Sequence, residues 1–516
     1  MSEQREIFSS RWALILASLG MAIGAGNIWR FPRIAAENGG GSFLIPWIVF
    51  LFLWSIPLII AEYAMGRKSR KGVIGSFIAI MGPKFAWMGA FVAFCTMGIM
   101  FYYSVVTGWS IRYFYTSLTS GLAGLDHAAE WSRYTSSGYG PVFFHLLAMS
   151  LGGFVIHRGV KGGIEKVNKV VVPLLFLLLI IAAARALTLP GATEGLNYLF
   201  SVDFEKLKDY RVWLEALSQS AWSTGAGWGL LMTYAIYMDK KEDIVLNSFI
   251  AGFGNNAASL LAGLAVIPTV FALSASASVA MDSLGAGNTG LTFIVIPQLF
   301  EKMPGGAIFE TLFFLALSLA AFSSLLAMIE LSTRIFMDMG MNRKKAIKVV
   351  GVTGFLLGIP SAVWLGFFNN QDWVWGIGLM VSGLFVALAV IKYGADKFRE
   401  ELVNVEGNDI QAGRWFSIII KWLIPIEFTV MLGWWFWRSA TEFDPDAIWN
   451  PFHTYNIGTT LLQWAVVITF FIVFNKMLVK MTSNGESQDG ASYDSDYGVI
   501  SWFCLGRVRI YAENGC

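Results

Sequence analysis

Long apolar stretches alternate with short polar loops along almost the whole chain. A helix needs about 20 mostly apolar residues to cross the hydrocarbon core of a bilayer, and twelve stretches meet this requirement. We therefore predict an all-α integral membrane protein with about twelve transmembrane helices. In chain order, the predicted helices 1 to 12 lie near residues 11–36, 42–66, 85–118, 141–157, 163–187, 211–238, 243–272, 305–338, 346–367, 372–395, 415–438 and 456–479.

Lysine and arginine are concentrated in alternate loops. They cluster at 67–84, 157–169, 343–348 and 392–414, whereas loops on the opposite side carry acids such as Glu194 and Asp203. Cytoplasmic loops carry an excess of basic residues, so both termini are expected in the cytoplasm. We found no Asn-x-Ser/Thr glycosylation site in the outer loops, which favours a multi-pass protein of a prokaryotic inner membrane.

Composition excludes several classes of protein. Of the 516 residues, 56% are hydrophobic and 14% are charged, against roughly 45 to 50% and 25% in soluble domains. The net charge of +2 does not suit a nucleic-acid partner. The three cysteines are widely spaced and indicate neither a disulfide framework nor a metal cluster. No nucleophile, histidine and acid constellation occurs in the spans, so an enzyme is not expected.

Helices 1 and 6 are each interrupted by glycine. Gly20, Gly24 and Gly26 fall in helix 1, and the segment 218–229 of helix 6 contains three more glycines. Glycine weakens a helix, and unpaired backbone groups at membrane depth are tolerated where they line a site. Gly20 and Gly24 alone would equally fit a helix-packing face. Two breaks five helices apart are typical of an inverted repeat with a site near the bilayer midplane.

Four strings carry a resemblance to a known family. They are residues 24–32 (Gly-Ala-Gly-Asn-Ile-Trp-Arg-Phe-Pro), residues 35–41, Tyr102-Tyr103 and residues 320–324. From Arg5 to about Arg399 the chain resembles the neurotransmitter:sodium symporters, in particular their bacterial amino-acid branch with the LeuT-type fold. The resemblance implies a five-plus-five inverted repeat. Its parts would be a cytoplasmic segment (1–10), helices 1–5 (11–187), an extracellular loop (188–210), helices 6–10 (211–398), helices 11–12 (399–480) and a cytoplasmic tail (481–516).

The resemblance also implies two sodium sites built from oxygen atoms, which are the ligands that hard cations prefer. Serine hydroxyls in a span more commonly bond to their own helix, and this remains the alternative use of Ser323 and Ser324. Sodium site 1 would comprise Ala22, Asn27, Ser223, Asn255 and the substrate carboxylate. Sodium site 2 would comprise Gly20, Ile23, Ala320, Ser323 and Ser324.

The substrate is expected beside the broken helices, with its carboxylate near Gly26 and Tyr103. In monoamine members of the family an acid occupies the position of Gly24, so glycine here favours an amino acid over an amine. Gly225 opens the pocket, whereas two tryptophans fill it again, and glycine or alanine therefore stays an alternative substrate. The residues implied to bind substrate are Ala22, Ala25, Gly26, Ile99, Tyr103, Trp222, Ser223, Gly225, Trp228, Ser324 and Met328.

Chloride dependence is open at this stage. Ser259 stands where chloride-independent bacterial members often have glutamate, which implies a chloride site with Gln219 and Asn255. Against this, Trp47 replaces the expected tyrosine of helix 2, and Glu62 is an alternative source of negative charge.

The family's gates map onto charged residues at the ends of spans. Arg30 and Asp372 correspond to the outer gate, and Arg5 and Asp338 to the inner gate. Without the resemblance, such charges would be read as solvated or snorkelling side chains.

Helix 5 carries a pattern associated with unwinding. Gly163 and Pro173 are separated by nine residues, and proline removes a backbone donor while glycine lowers helicity. We expect the inner end of this helix to unwind and admit water to the second sodium.

The sequence thus predicts a sodium-coupled symporter for neutral, hydrophobic or aromatic L-amino acids, acting by alternating access. Its partners would be the amino acid, sodium and the lipid bilayer, in a monomer or weak oligomer. The alternatives are a glycine- or alanine-selective symporter and an amino-acid-gated receptor or channel of the same fold.

Overall fold

The computed structural model describes residues 6–406 and 408–484, and within them the fold is helical with no β-strand. Among these described residues, nine helices are long and apolar enough to cross a membrane, and up to twelve spans result if each of three bent pairs is one span. The prediction of an all-α membrane protein is therefore confirmed. Arg5 and residues 485–516 of the predicted tail lie outside the described residues.

The first half of the chain forms ten α-helices. A π-helix at Leu51–Ser55 joins α4 to α5, so that Gly41–Ser69 is one span. The helices are α1 (Arg11–Ala22), α2 (Ala25–Trp29), α3 (Phe31–Glu37), α4 (Gly41–Phe50), α5 (Ile56–Ser69), α6 (Val73–Met81), α7 (Ala86–Thr119), α8 (His127–Ser136), α9 (Tyr139–His157) and α10 (Lys166–Leu187).

The second half forms fifteen. They are α11 (Ala192–Phe200), α12 (Tyr210–Ser223), α13 (Leu230–Ala235), α14 (Ile244–Leu273), α15 (Ala277–Leu284), α16 (Gly287–Gly290), α17 (Ile296–Glu301), α18 (Gly306–Asp338), α19 (Arg343–Val363), α20 (Leu365–Tyr393), α21 (Ala395–Phe398), α22 (Arg414–Ile418), α23 (Ile424–Arg438), α24 (Ile457–Val473) and α25 (Asn475–Asn484).

Burial separates central helices from peripheral ones. The most apolar windows of the spans containing α7, α18 and α20 are 78 to 83% buried, whereas those of α9, α19 and α23 are 33 to 39% buried. A helix that is apolar on every side and buried belongs to the interior of the bundle. The central helices therefore hold the site, and the peripheral ones present apolar residues to lipid.

Both predicted helix breaks are present. The first predicted helix bends by 55° between α1 and α2, where Ile23 and Gly24 have extended backbone. Predicted helix 6 consists of α12 and α13, and residues 224–229 between them are unwound. In that segment Gly225, Gly227 and Gly229 have φ angles of +70° to +87°, a region that glycine adopts without steric cost.

Three loops contain helices that the hydrophobic pattern did not predict. Residues 275–304, which lie between predicted helices 7 and 8, form short helices, with a bend of 117° between α15 and the segment Gly287–Glu301. The loops after α7 and α10 contain the short helices α8 and α11. Predicted helix 10 also begins earlier than expected, at Leu365, because Trp364 alone has extended backbone between α19 and α20.

Helix 5 is irregular at one end only. A π-helix at Val160–Glu165, which includes Gly163, precedes the regular helix α10. Pro173 lies inside α10 without ending it. Because π-helices are rare and short, the segment that was expected to unwind is already the least regular part of this span.

Candidate functional site

The break in helix 1 frees backbone carbonyls for other partners. In an unbroken helix the Gly24 and Ala25 amides would donate to the carbonyls of Gly20 and Met21. Instead, the Gly24 amide donates to Asn27 Oδ1 at 2.9 Å and the Ala25 amide donates to the Tyr103 hydroxyl at 3.0 Å. The carbonyls at the end of α1, at the negative end of its dipole, therefore face the centre of the bundle.

Asn27 organises the surroundings of this break. Its Nδ2 lies 2.8 Å from Asn255 Oδ1, 2.8 Å from Ser259 Oγ and 3.2 Å from Ser223 Oγ. All four residues are buried. One side chain thus joins helix 1 to the end of α12 and to α14.

Three of the four predicted protein ligands of sodium site 1 bring oxygen atoms together, whereas Asn27 directs its Nδ2 toward them and its Oδ1 accepts from the Gly24 amide. The oxygen assigned to the Asn255 amide lies 3.1 Å from the Ala22 carbonyl oxygen and 3.0 Å from the Ser223 carbonyl oxygen. Acceptors that face acceptors need either a donor or a cation between them. Rotating the Asn255 amide supplies a donor, and a bound sodium would satisfy every oxygen at once. The donor set therefore fits a hard cation.

At sodium site 2, the two serines have different partners. Ser323 Oγ donates to the carbonyl of Ala320 at 3.0 Å, within its own helix, whereas Ser324 Oγ donates to the carbonyl of Met21 at 2.9 Å, across to α1. Ser323 thus shows the common intrahelical bond of a serine in a span. Ser324 ties α18 to the break in helix 1.

A cavity of about 220 Å³ lies between the broken helices. Two of the residues expected to bind substrate, Ala25 and Ile99, are fully buried and do not line it. The other nine do: Ala22, Gly26, Tyr103, Trp222, Ser223, Gly225, Trp228, Ser324 and Met328.

Gly24 sits where no side chain fits without a shift. A Cβ built on Gly24 would lie 2.8 Å from the Tyr103 hydroxyl and 2.9 Å from Ser324 Oγ. A Cβ on Gly26 would meet nothing within 4 Å. The two glycines therefore differ, because Gly24 allows a close approach of polar groups while Gly26 leaves open space.

Two tryptophans shape the apolar side of the cavity. The rings of Trp222 and Trp228 meet edge to face at 5.7 Å. A Cβ on Gly376 would lie 2.3 Å from the Trp222 ring, so this glycine lets the indole pack against α20. Gly225 approaches Met21 closely, with 2.7 Å from a built Cβ to the sulfur.

Only two of the three residues of the predicted chloride site belong to one hydrogen-bond network. Asn255 and Ser259 share the Asn27 network, whereas no hydrogen bond in the described part of the chain links Gln219 to them. Gln219 Oε1 and Trp47 Nε1 are both buried without a partner there. The Glu62 carboxylate accepts from the amides of Gly229 and Met232 at 3.1 and 3.2 Å. Glu62 therefore holds the start of α13.

The two residues of the predicted outer gate lie at the same cavity but do not form an ion pair. Arg30 and Asp372 both line the cavity, and no ion pair within 4.0 Å joins them among residues 6–406 and 408–484. Arg30 instead donates to Ser218 Oγ at 3.3 Å, and its guanidinium lies 5.4 Å from the centroid of the Trp222 ring.

Of the two residues of the predicted inner gate, the structure describes Asp338, whereas Arg5 lies outside the described residues. Asp338 accepts from Arg334 at 2.7 Å and from the Gly72 amide at 2.5 Å. The N-terminal segment is instead held at Ser9, whose amide donates to Glu165 Oε2 at 2.9 Å.

The sequence analysis missed a buried ionic group below the site. Glu330 is fully buried in α18, accepts from the Tyr237 hydroxyl at 2.6 Å and pairs with Arg343 at 2.6 Å. An acid inside an apolar span is itself a signal, since such residues are rare and pair with one another. Its partners could not be read from the sequence because Arg343 belongs to the next helix.

Comparisons with known proteins agree with this architecture. A family model described as the sodium:neurotransmitter symporter family matches residues 5–139 and 137–484. The chain is 32% identical over 446 residues to the uncharacterized sodium-dependent transporter MJ1319 of Methanocaldococcus jannaschii, covering 83% of this chain and 90% of the relative. It is also 32% identical over 463 residues to the uncharacterized sodium-dependent transporter YhdH of Bacillus subtilis, covering 84% of this chain and 98% of the relative.

A crystal structure of MhsT in complex with L-phenylalanine has the same fold. The TM-score is 0.74 at 32% sequence identity, and the match covers 83% of this chain and 99% of MhsT. The LeuT-type fold expected from the sequence is thus confirmed. The chain belongs to the sodium:neurotransmitter symporter family, and it is a multi-pass membrane transporter, not an enzyme.

Proposed function

We propose that this sodium-dependent symporter takes up neutral L-amino acids with hydrophobic or aromatic side chains. The observation that carries the proposal is Gly24, whose missing side chain brings the Tyr103 and Ser324 hydroxyls against the broken helix. An acid at this position would have no room. An amino group in the cavity therefore has backbone carbonyls as partners, and a substrate must bring its own carboxylate.

The proposed pose follows from the polarity of the break. The substrate carboxylate lies near the start of α2, where the helix dipole and the Gly26 amide favour an anion, with the Tyr103 hydroxyl as a further donor. The amino group lies near the carbonyls of Ala22, Trp222 and Ser223. The side chain extends between the indoles and Met328, a wall that offers no partner to a charge.

Two sodium ions are proposed to travel with the substrate. The oxygen cluster around Asn255 and Asn27 would hold the first ion, with the substrate carboxylate as a further ligand. The carbonyls of Gly20, Ile23 and Ala320 and the hydroxyls of Ser323 and Ser324 would hold the second. Sharing the first ion with the substrate couples the two binding events reciprocally.

A chloride site formed by Gln219, Asn255 and Ser259 is also proposed. Ser259 brings no negative charge, and both Glu62 oxygens are engaged with amides of the helix 6 segment. Trp47 adds a buried indole N–H without a partner among the described residues. Replacing chloride by gluconate at fixed sodium should therefore reduce uptake, and unchanged uptake would remove the anion from the mechanism.

Alternating access would use the charged residues at both ends of the site. Closure of the outer side would bring Arg30 to Asp372 above Trp222, and opening of the inner side would release the contacts of Asp338 and the N-terminal segment. We place the protein in a prokaryotic inner membrane with both termini in the cytoplasm, as the basic loops indicate.

A symporter for glycine or alanine is the second candidate, because the edge-to-face pair of Trp222 and Trp228 narrows the cavity. Gly376 weighs against it, since this glycine lets the Trp222 indole pack against α20. The MhsT complex with L-phenylalanine shows that a related protein binds an aromatic amino acid.

Competition at fixed sodium tests the proposal. L-Leucine and L-tryptophan should displace a radiolabelled L-phenylalanine probe, and lysine and glutamate should not. Tryptamine should bind at least about tenfold more weakly than tryptophan, because leaving buried polar groups unpaired costs about 1 to 3 kcal/mol each. Glycine or alanine outcompeting the larger residues would favour the second candidate, and equal competition by tryptamine would overturn the pose.

A further inference from the structure

Asn168 is a buried polar residue in helix 5 whose amide is only half satisfied. It lies in the first turn of α10 and is fully buried. Its Nδ2 donates to the carbonyl of Ile164 at 2.9 Å. Its Oδ1 has no hydrogen-bond partner within the described ranges. A buried acceptor without a donor is unfavourable, so this oxygen needs an explanation.

The unpartnered oxygen lies against Gly20. A Cβ built on Gly20 would be 2.0 Å from Asn168 Oδ1 and 2.9 Å from its Cγ. Only glycine at this position allows the amide to approach the backbone of α1. The contact therefore requires both residues, one from each helix.

The carbonyl of Gly20 lacks the donor that a continuous helix would supply. The Gly24 amide, which would bond to the Gly20 carbonyl in a continuous helix, donates to Asn27 Oδ1 instead. The last carbonyls of α1 also lie at the negative end of the helix dipole. Asn168 thus brings a second partial negative charge to a place where a cation, not another acceptor, would be stabilising.

We propose that Asn168 Oδ1 is a sodium ligand contributed by helix 5 to the second sodium site. This inference rests on the proposed function, in which the Gly20 carbonyl belongs to that site. Neutral amide and carbonyl oxygens are suitable ligands for a hard cation. The ligand adds helix 5 to a site otherwise built from helices 1 and 8.

The position of Asn168 gives this ligand a role in ion release. It lies three residues after the end of the π-helix Val160–Glu165, and its bond to Ile164 spans the junction between the π-helix and α10. Unwinding of this end would withdraw the oxygen as the path to the cytoplasm opens. By linkage, bound sodium then stabilises the helical form of this segment.

Binding of ²²Na⁺ alone to the purified protein tests the inference, with four variants. Asn168→Leu keeps the branched shape and removes the oxygen, and Asn168→Asp keeps an oxygen in the place of Oδ1 and adds a negative charge. Asn247→Leu is the matched control, because Asn247 is also buried with an unpartnered Oδ1 but donates to Glu242. Ser323→Ala probes the second site independently.

We expect Asn168→Leu to raise the half-saturating sodium concentration at least about fivefold. Asn168→Asp should lower this concentration and slow the release of ²²Na⁺, because the added negative charge attracts the ion. In Asn247→Leu the half-saturating concentration should stay within about twofold of that of the parent. If Asn168 had only a structural role, Asn168→Asp would weaken sodium binding as much as Asn168→Leu. Parent affinity in Asn168→Leu, or weaker binding in Asn168→Asp, would overturn the inference if Ser323→Ala is impaired. Parent affinity in Ser323→Ala would instead overturn the second site itself, and with it the inference.

Discussion

At the scale of single residues, the site depends on positions where a side chain is absent. Gly20, Gly24 and Gly376 each allow a neighbouring polar or aromatic group to approach within a distance that a Cβ would prevent. Gly225 adds a left-handed backbone, with φ of +70°. Glycine in these helices therefore does more than weaken them, since it determines which side chains reach the break.

Gly24→Ala should impair transport by crowding Tyr103 and Ser324. The added Cβ would lie under 3.0 Å from both hydroxyl oxygens, so the Tyr103 hydroxyl, which accepts from the Ala25 amide, must move. We expect the apparent affinity for L-phenylalanine to fall at least about tenfold, a loss of about 1.4 kcal/mol. Gly351→Ala is the control, because a Cβ there meets nothing within 4 Å. Equal affinities in the two variants would contradict the role given to Gly24.

Asn27→Ala should weaken sodium and substrate binding together. The change removes the contacts of one amide with Gly24, Ser223, Asn255 and Ser259, on both sides of the cavity. The half-saturating sodium concentration for substrate binding should rise at least about tenfold. Asn38→Ala, which loses only a bond to the carbonyl of Ile34, should behave like the parent. An Asn27→Ala protein that keeps the parent's sodium dependence would rule out the first-site assignment.

At the scale of elements, helix 5 combines the regular helix α10 with an irregular end at the π-helix Val160–Glu165. Pro173→Ala restores a backbone donor in α10, about two turns from the end of the preceding π-helix. We expect slower turnover with nearly unchanged equilibrium binding, because the proline contacts neither ion nor substrate in the proposed site. Pro268→Ala, in α14, is the control for removing a proline from a helix. Turnover equal to that of the parent would remove helix 5 unwinding from the mechanism.

The N-terminal segment forms hydrogen bonds with the end of helix 5 that contains the π-helix. Glu165 accepts from the Ser9 amide and hydroxyl and pairs with Lys169 at 2.6 Å. Glu165→Gln weakens these charge-assisted bonds and should increase labelling, by a membrane-impermeant maleimide, of a cysteine placed at Ser10. Glu205→Gln, whose acid pairs with Lys208 in an exposed loop, is the control. Labelling that does not change would show that Glu165 does not hold the segment.

At the scale of the whole molecule, the hydrophobic pattern predicted the bundle better than its loops. Spans are constrained by bilayer thickness and by internal hydrogen bonding, so nearly all of them were visible as apolar stretches. Helices α8 and α11 lie in polar, glycine-containing loops, and α15 to α17 form a segment that is apolar enough for a span but bends by 117°. In both cases tertiary packing decides the structure. Tertiary packing also explains the kink at Trp364, which places the start of predicted helix 10 earlier than the hydrophobic pattern indicated.

The site could also be predicted only in part from the sequence. The breaks at Gly24 and Gly225 could be located because glycine clusters in a span are uncommon, and the resemblance then supplied the ligand sets. Ala25 and Ile99 were expected in the cavity but are covered by their neighbours, since sequence position does not give side-chain direction. Asn168 and Glu330 act through partners on other helices, and such contacts between helices cannot be derived from one sequence.

The central claim is that a sodium gradient drives concentrative uptake of a neutral amino acid. The most direct measurement is uptake of radiolabelled L-phenylalanine by proteoliposomes containing the purified protein, with sodium outside and potassium inside. We expect transient accumulation above the external concentration, loss of accumulation when a sodium ionophore collapses the gradient, and none with potassium on both sides. Equilibration without accumulation, as in a channel, or accumulation that persists without sodium would contradict the account.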